Sequence, residues 1–302
     1  MSHRIIEREN ETSSLEKLAA QRQIYSVAKV FFILQTSISV LLLVLLSFTQ
    51  LIIPKYDFTL IIATISLFAV VIDYYLDIYV NSLKEKAAKI QEYFDTYVFQ
   101  LNWNNILCLE KPEYDKIYHY SQKHKNKSDF SELSNWYEPE INNVSENVAI
   151  LICQKTNCNY DKSIRKRFNS VFLWIGIITL CLILIFTIFS GISLAKILLT
   201  VIFPAIPIIQ WTMKNINSNN QSISTLEQLN SLINTNWELV KSGSNINKIE
   251  LRQIQDGIYL NRKNSSLIPD YVYNKMRKKL EAKTRYTVNE LVEELNSENN
   301  CA

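Results

Sequence analysis

The stretch FAVVIDYYLDIYV, Phe68 to Val80, continues the apolar run FTLIIATISL and sets Asp73 and Asp77 one helical turn apart. Residues four apart share a helix face, so both carboxylates can point into one bundle interior. A carboxylate carried into a bilayer costs ~2.5–3.5 kcal/mol on insertion scales unless it faces protein or water. Two readings stay open. The acids line the inner mouth of a cation-permeable path built from several copies of the chain, or both sit at headgroup level among Tyr74, Tyr75 and Tyr79, which fit an interfacial aromatic belt.

Other residues could do chemistry with phosphate or with a moving helix. The cluster KSIRKRF, Lys162 to Phe168, offers the forked donors of Arg165 and Arg167, which suit a phosphate group. Contact with anionic lipid explains the same charges. Arg252 and Arg262 are the further candidates for phosphate contacts. In VIFPAIP, Pro204 and Pro207 each remove a backbone donor and bend a helix, freeing carbonyls one turn back. They serve as a gating hinge or as a plain kink. Thr200 is the candidate to join Asp73 and Asp77 along the path.

Most enzyme chemistry finds no purchase here. The four glycines are too scattered for a phosphate-cradling loop. The three histidines form no H-E-x-x-H motif, and the five scattered cysteines make neither a disulfide framework nor a common zinc module. No nucleophile–base pair stands out, so the chain is not read as an enzyme, and no cofactor or metal is expected. A net charge of +3 is too small to suggest a DNA or RNA polymer as partner.

The elements that must position these residues are apolar helices. A bilayer core ~30 Å thick needs about 20 mostly apolar residues, and four segments qualify: Lys29 to Ile53, Phe58 to Val80, Val171 to Ser190 and Leu194 to Met213. The links PKYD and Gly191 to Ser193 are very short, so each pair is a hairpin and all large polar parts share one side. Flanking lysines and arginines number ten on that side against Lys55 and Lys196 on the other, which puts both termini in the cytoplasm. The expected organisation is an N-terminal amphipathic helix (1–28), a first hairpin (29–80), a helical segment (81–170), a second hairpin (171–213) and a C-terminal helical segment (214–302). No glycine or proline interrupts Phe58 to Trp103, so the second span should continue as one helix into the cytoplasm. A helix is expected over Val144 to Cys153, and another from Asn159 into the third span. Beyond the fourth span, Ile223, Leu226, Ile233, Trp237 and Val240 form an imperfect heptad stripe.

Several stretches carry a resemblance: AAQRQIYSVAK (Ala19 to Lys29), SLKEKAAKIQEYFD (Ser82 to Asp95), LNWN (Leu101 to Asn104), NWYEPEI (Asn135 to Ile141), ICQKTNCNYDKSIRKRF (Ile152 to Phe168) and LRQIQDGIYLNRKNSSLIPDYVY (Leu251 to Tyr273). In order and spacing they resemble the SMODS-associating four-transmembrane effectors of bacterial antiphage systems. One departure is LNRKN, where a histidine is expected before the arginine. The resemblance implies a pore-forming or membrane-disrupting effector of the inner membrane, a homo-oligomer in contact with the lipid bilayer. It also implies a cyclic oligonucleotide trigger made by a nucleotidyltransferase, with cell death or dormancy limiting the phage. A constitutive ion channel or transporter and a membrane-anchored sensor or scaffold are the alternatives. The expected fold is an all-α membrane protein of four transmembrane helices in two hairpins with a helical cytoplasmic module.

Overall fold

The computed structural model describes residues 4–53, 55–126, 128–189 and 198–301, and every regular element among them is a helix or a helical turn. A short α1 (Ile5–Asn10) precedes α2 (Thr12–Thr36), which a π-helical turn (Ser37–Leu42) joins to α3 (Leu43–Ile52). After a tight turn, α4 (Thr59–Val98) runs for 40 residues, about 60 Å at 1.5 Å per residue. Nothing in its sequence breaks it. It stops where Gln100 adopts a left-handed φ of 51° and turns its side-chain amide back onto the Tyr97 carbonyl at 2.7 Å. The α3–α4 turn is tied by Gln50, whose amide donates to the Tyr56 carbonyl and accepts from the Phe58 N–H at 2.7 Å.

Past α5 (Asn105–Cys108) and α6 (Tyr114–Lys125), two 3-10 turns (Phe130–Leu133 and Pro139–Asn143) lead into α7 (Glu146–Phe189). The break expected between Cys153 and Asn159 does not occur: α7 is one helix of 44 residues. That stretch is polar but holds no glycine or proline, and Cys153 and Cys158 are locked in the core. Packing overrides weak propensity. A second π-helical turn (Leu198–Ile202) precedes α8 (Phe203–Lys241). Pro204 lies in the first turn of α8, where a missing N–H costs little, whereas Pro207 lies inside the helix; both are buried. A capping box of Asn247 and Glu250 starts α9 (Lys248–Asn264), and α10 (Asp270–Cys301) closes the chain.

Among the described residues, two large buried clusters do most to hold the helices together. In the polar module, Phe94, Phe99, Ile150, Leu151, Trp237 and Ile254 belong to one buried cluster. The second lies where that module meets the apolar segments. Ala20, Ala28 and Ala87 let α2 and α4 pack closely, and Trp211 stacks on Phe32 at 6.1 Å and meets Phe172 edge-on at 5.5 Å between ring centroids. Gly176 brings α7 against α8 so tightly that an added Cβ would lie 2.7 Å from Thr212 Cγ2, the close approach that small residues permit between membrane helices.

Thr12–Gln50 and Thr59–Val98 are long and apolar enough to cross a membrane, and only a third of each apolar window is buried within the chain. A core helix of a globular protein would be mostly covered. Here Val30, Leu45, Leu60, Phe68 and Val71 are each more than half exposed, as lipid contact requires. The other two expected spans run partly over 190–197, outside the described residues, which also takes in the linker Gly191 to Ser193.

Candidate functional site

Asp73 and Asp77 meet a partner the sequence did not announce. Asp73 is buried, and its Oδ1 accepts from Gln35 Nε2 and Ser39 Oγ, each at 3.0 Å. Its Oδ2 lies 3.7 Å from Lys214 Nζ, which stands 2.8 Å from Asp77 Oδ1. Ser39 lies within the π-helical turn Ser37–Leu42; the extra residue of such a turn re-aims side chains locally. Three elements thus converge on α4 at the edge of its apolar half: α2 through Gln35, the π-turn through Ser39 and α8 through Lys214. Sequence reasoning counted Lys214 only among the flanking positive charges; its place directly after Met213, level with an acid pair on another span, was the available signal. Thr200 falls in the second π-helical turn, and its side chain lies outside the described residues.

A cavity of about 550 Å³ opens in the polar module between α2, α4, α7, α9 and the start of α10. That is the usual size for a small-molecule site. Arg165 and Arg262 line it, while Arg167 and Arg252 do not. Arg165 and Arg262 are both already engaged. Arg165 pairs with Asp161 at 2.9 Å and donates to Ser265 Oγ at 2.7 Å and the Ser266 carbonyl at 3.1 Å. It thereby ties α7 to the α9–α10 linker. Arg262 pairs with Asp95 of α4. Burial opposes its charge, but Asp95 more than offsets this and holds the guanidinium above its ordinary value. Arg252 sits one layer away, on Glu92 at 2.5 Å and Asp256 at 2.8 Å. Arg167 is exposed.

Behind the cavity wall, Gln255 donates to both Glu92 and Asp95, at 2.9 and 3.0 Å, and lies 3.3 Å from Gln154 of α7. Burial pushes Glu92 up to about 7 despite the pull of Arg252. Such a buried polar network ties α4, α7 and α9 into one arrangement. On the opposite wall, Trp136, Tyr160 and Tyr273 form an aromatic run with centroids 6.4 and 6.2 Å apart. Tyr25 stands near Arg262 and Arg165, and burial raises its phenol to about 12. Among the described residues no cluster of ligating side chains could hold a metal ion.

An all-helical chain with partly uncovered apolar helices, and a polar module built on extensions of those helices, is a membrane protein whose polar half is mechanically joined to its spans. The profile of the SMODS-associating 4TM effector domain matches residues 3–291, and the chain belongs to that family. It is 26% identical over 274 residues, covering 89% of this chain and 92% of the relative, to a probable CBASS effector molecule of Bacillus cereus (strain VD146). No solved structure matches it.

Proposed function

We propose that this chain is a signal-gated, membrane-disrupting effector of a CBASS-type antiphage system. In this reading four helices cross the bacterial inner membrane as two hairpins, with both termini inside. A cyclic oligonucleotide made by an infection-activated nucleotidyltransferase enters the cytoplasmic cavity. Several copies assemble, the membrane loses integrity, and the infected cell stops supporting the phage. The protein acts on the bilayer and breaks no bond.

Family membership and the relative's name support the effector role. One structural observation carries the gating: the helices that wall the cavity are the helices that hold the apolar segments. α4 has Asp95 at the cavity and Asp73 and Asp77 in the charge cluster, while α7 runs from Arg165 into its apolar half without a break. A ligand can shift such an arrangement only by binding its two states differently, and a cavity formed by the moving parts meets that need. In this proposal the Lys214 contact is the closed state, and its opening turns the two carboxylates toward the path. In this proposal Pro204 and Pro207 are the hinge about which α8 moves.

The test is membrane potential in cells expressing the protein with and without an active cyclic-oligonucleotide synthase, repeated with purified protein in liposomes. Depolarisation only in the presence of the nucleotide is expected. Leakage without it makes the protein a constitutive channel, and no leakage in either case makes it a scaffold.

A further inference from the structure

The cavity contains a lysine that, among the described residues, makes no direct ion pair. Lys84, on α4, is 6% exposed and lines the cavity. Its Nζ donates to Asn81 Oδ1 at 2.9 Å, and among the described residues no carboxylate comes within ion-pair reach. Three other cations around it are matched: Arg262 by Asp95, Arg165 by Asp161 and Lys29 by Asp270. Burial accordingly draws the Lys84 ammonium down to about 8. A buried ammonium left this way gives up its proton or gains an anion. Arg22, from α2, also lines the cavity and makes no ion pair among the described residues. Among the described residues, Glu132 is the lining acid for which no cation lies within ion-pair distance.

Two uncommitted cations therefore share one pocket with the aromatic run of Trp136, Tyr160 and Tyr273 and with the side-chain amides of Gln91 and Asn157. Phosphate seeks the first, nucleobase faces the second and base edges the third. Resting on the effector reading above, we propose that the cavity is a nucleotide site in which Lys84 and Arg22 take the phosphodiester and the aromatic run takes the bases. Lys84 is the α4 residue of the cavity nearest the apolar segment. It follows Asp77 by about 10 Å along the helix, and Asp77 and Lys214 both act on its charge. An anion bound there is felt by the cluster that closes the spans.

The experiment is calorimetric titration of the whole chain in neutral detergent with inorganic pyrophosphate and with cyclic di-AMP. Both should bind, the dinucleotide more tightly. Lys84→Gln should weaken both at least tenfold, Lys84→Arg should keep them, and Trp136→Ala should weaken the dinucleotide alone. The conservative arginine variant separates loss of charge from loss of fold. Absence of binding, or Lys84→Gln affinities equal to wild type, overturns the site. Displacement of pyrophosphate by phosphatidylglycerol nanodiscs, with no gain from the bases, assigns the pocket to a lipid headgroup and overturns it too. A chain that binds nucleotide as expected yet never depolarises a membrane keeps this site and loses the effector reading.

Discussion

Replacing Lys214 with methionine keeps most of the unbranched side chain and removes the charge that Asp73 and Asp77 share. Deleting one partner of a buried pair costs about 3–5 kcal/mol. Lys214 and Asp77 are each about one-third exposed, while Asp73 is almost fully covered. Solvent screens part of the loss, so about 2–3 kcal/mol is the figure to expect. If the pair stabilises the closed arrangement alone, the open state gains roughly 30- to 150-fold in population. A voltage-sensitive dye in cells lacking any nucleotide synthase should then report depolarisation by the Lys214→Met protein and none by the wild type. Converting Asp73 and Asp77 to asparagine in the same protein should restore silence, since both unpaired charges go and the amide at 73 can still accept from Gln35 and Ser39. A Lys214→Met protein that is silent without signal and fully responsive with it refutes the reasoning.

Two further outcomes concern the polar module. Arg262→Ala strands Asp95 in the wall of the cavity and should lower the melting temperature sharply, by the ~3–5 kcal/mol of a broken buried pair, whereas Arg167→Ala, at an exposed site, should change it little; equal melting curves count against the network. Burial raises Glu9 from its ordinary 4.5 to about 8, against the pull of the Tyr137 N–H. An acid raised in this way stabilises the fold fully below pH 4.5 and progressively less up to about pH 8, so Glu9→Gln should be the more stable protein at pH 8 by a few kcal/mol. Melting curves from pH 5 to 9 should converge with wild type at the acid end, and parallel curves refute the assignment.

Much of the architecture is legible from what is missing. With no glycine or proline between Phe58 and Trp103, the helix could only continue, and α4 does so to Val98. The same rule, applied to Cys153 to Asn159, would have given α7 whole; polarity there was misread as a break because burial of Cys158 belongs to tertiary structure. The π-helical turns are illegible, since SISVLL reads as ordinary helix. Arg252 and Arg262 looked like free phosphate donors because Glu92 and Asp95, which engage them, lie far earlier in the chain and come near only through the packing of α9 on α4. Lys84 was read only as one flanking charge among ten. That no carboxylate pairs with it directly is a fact about its neighbours in space.

The length of α4 has a mechanical consequence. Asp77, pinned by Lys214, stands midway between Thr59 and Asp95, about 27 Å along the axis from each. A stiff beam pivoting at its centre has equal arms, so a sideways push at Asp95 reappears at Thr59 with the same amplitude and the opposite sense. A swing of the Asp95 end by the width of one methyl group would tug the α3–α4 turn by as much, against the clasp that Gln50 makes on Tyr56 and Phe58.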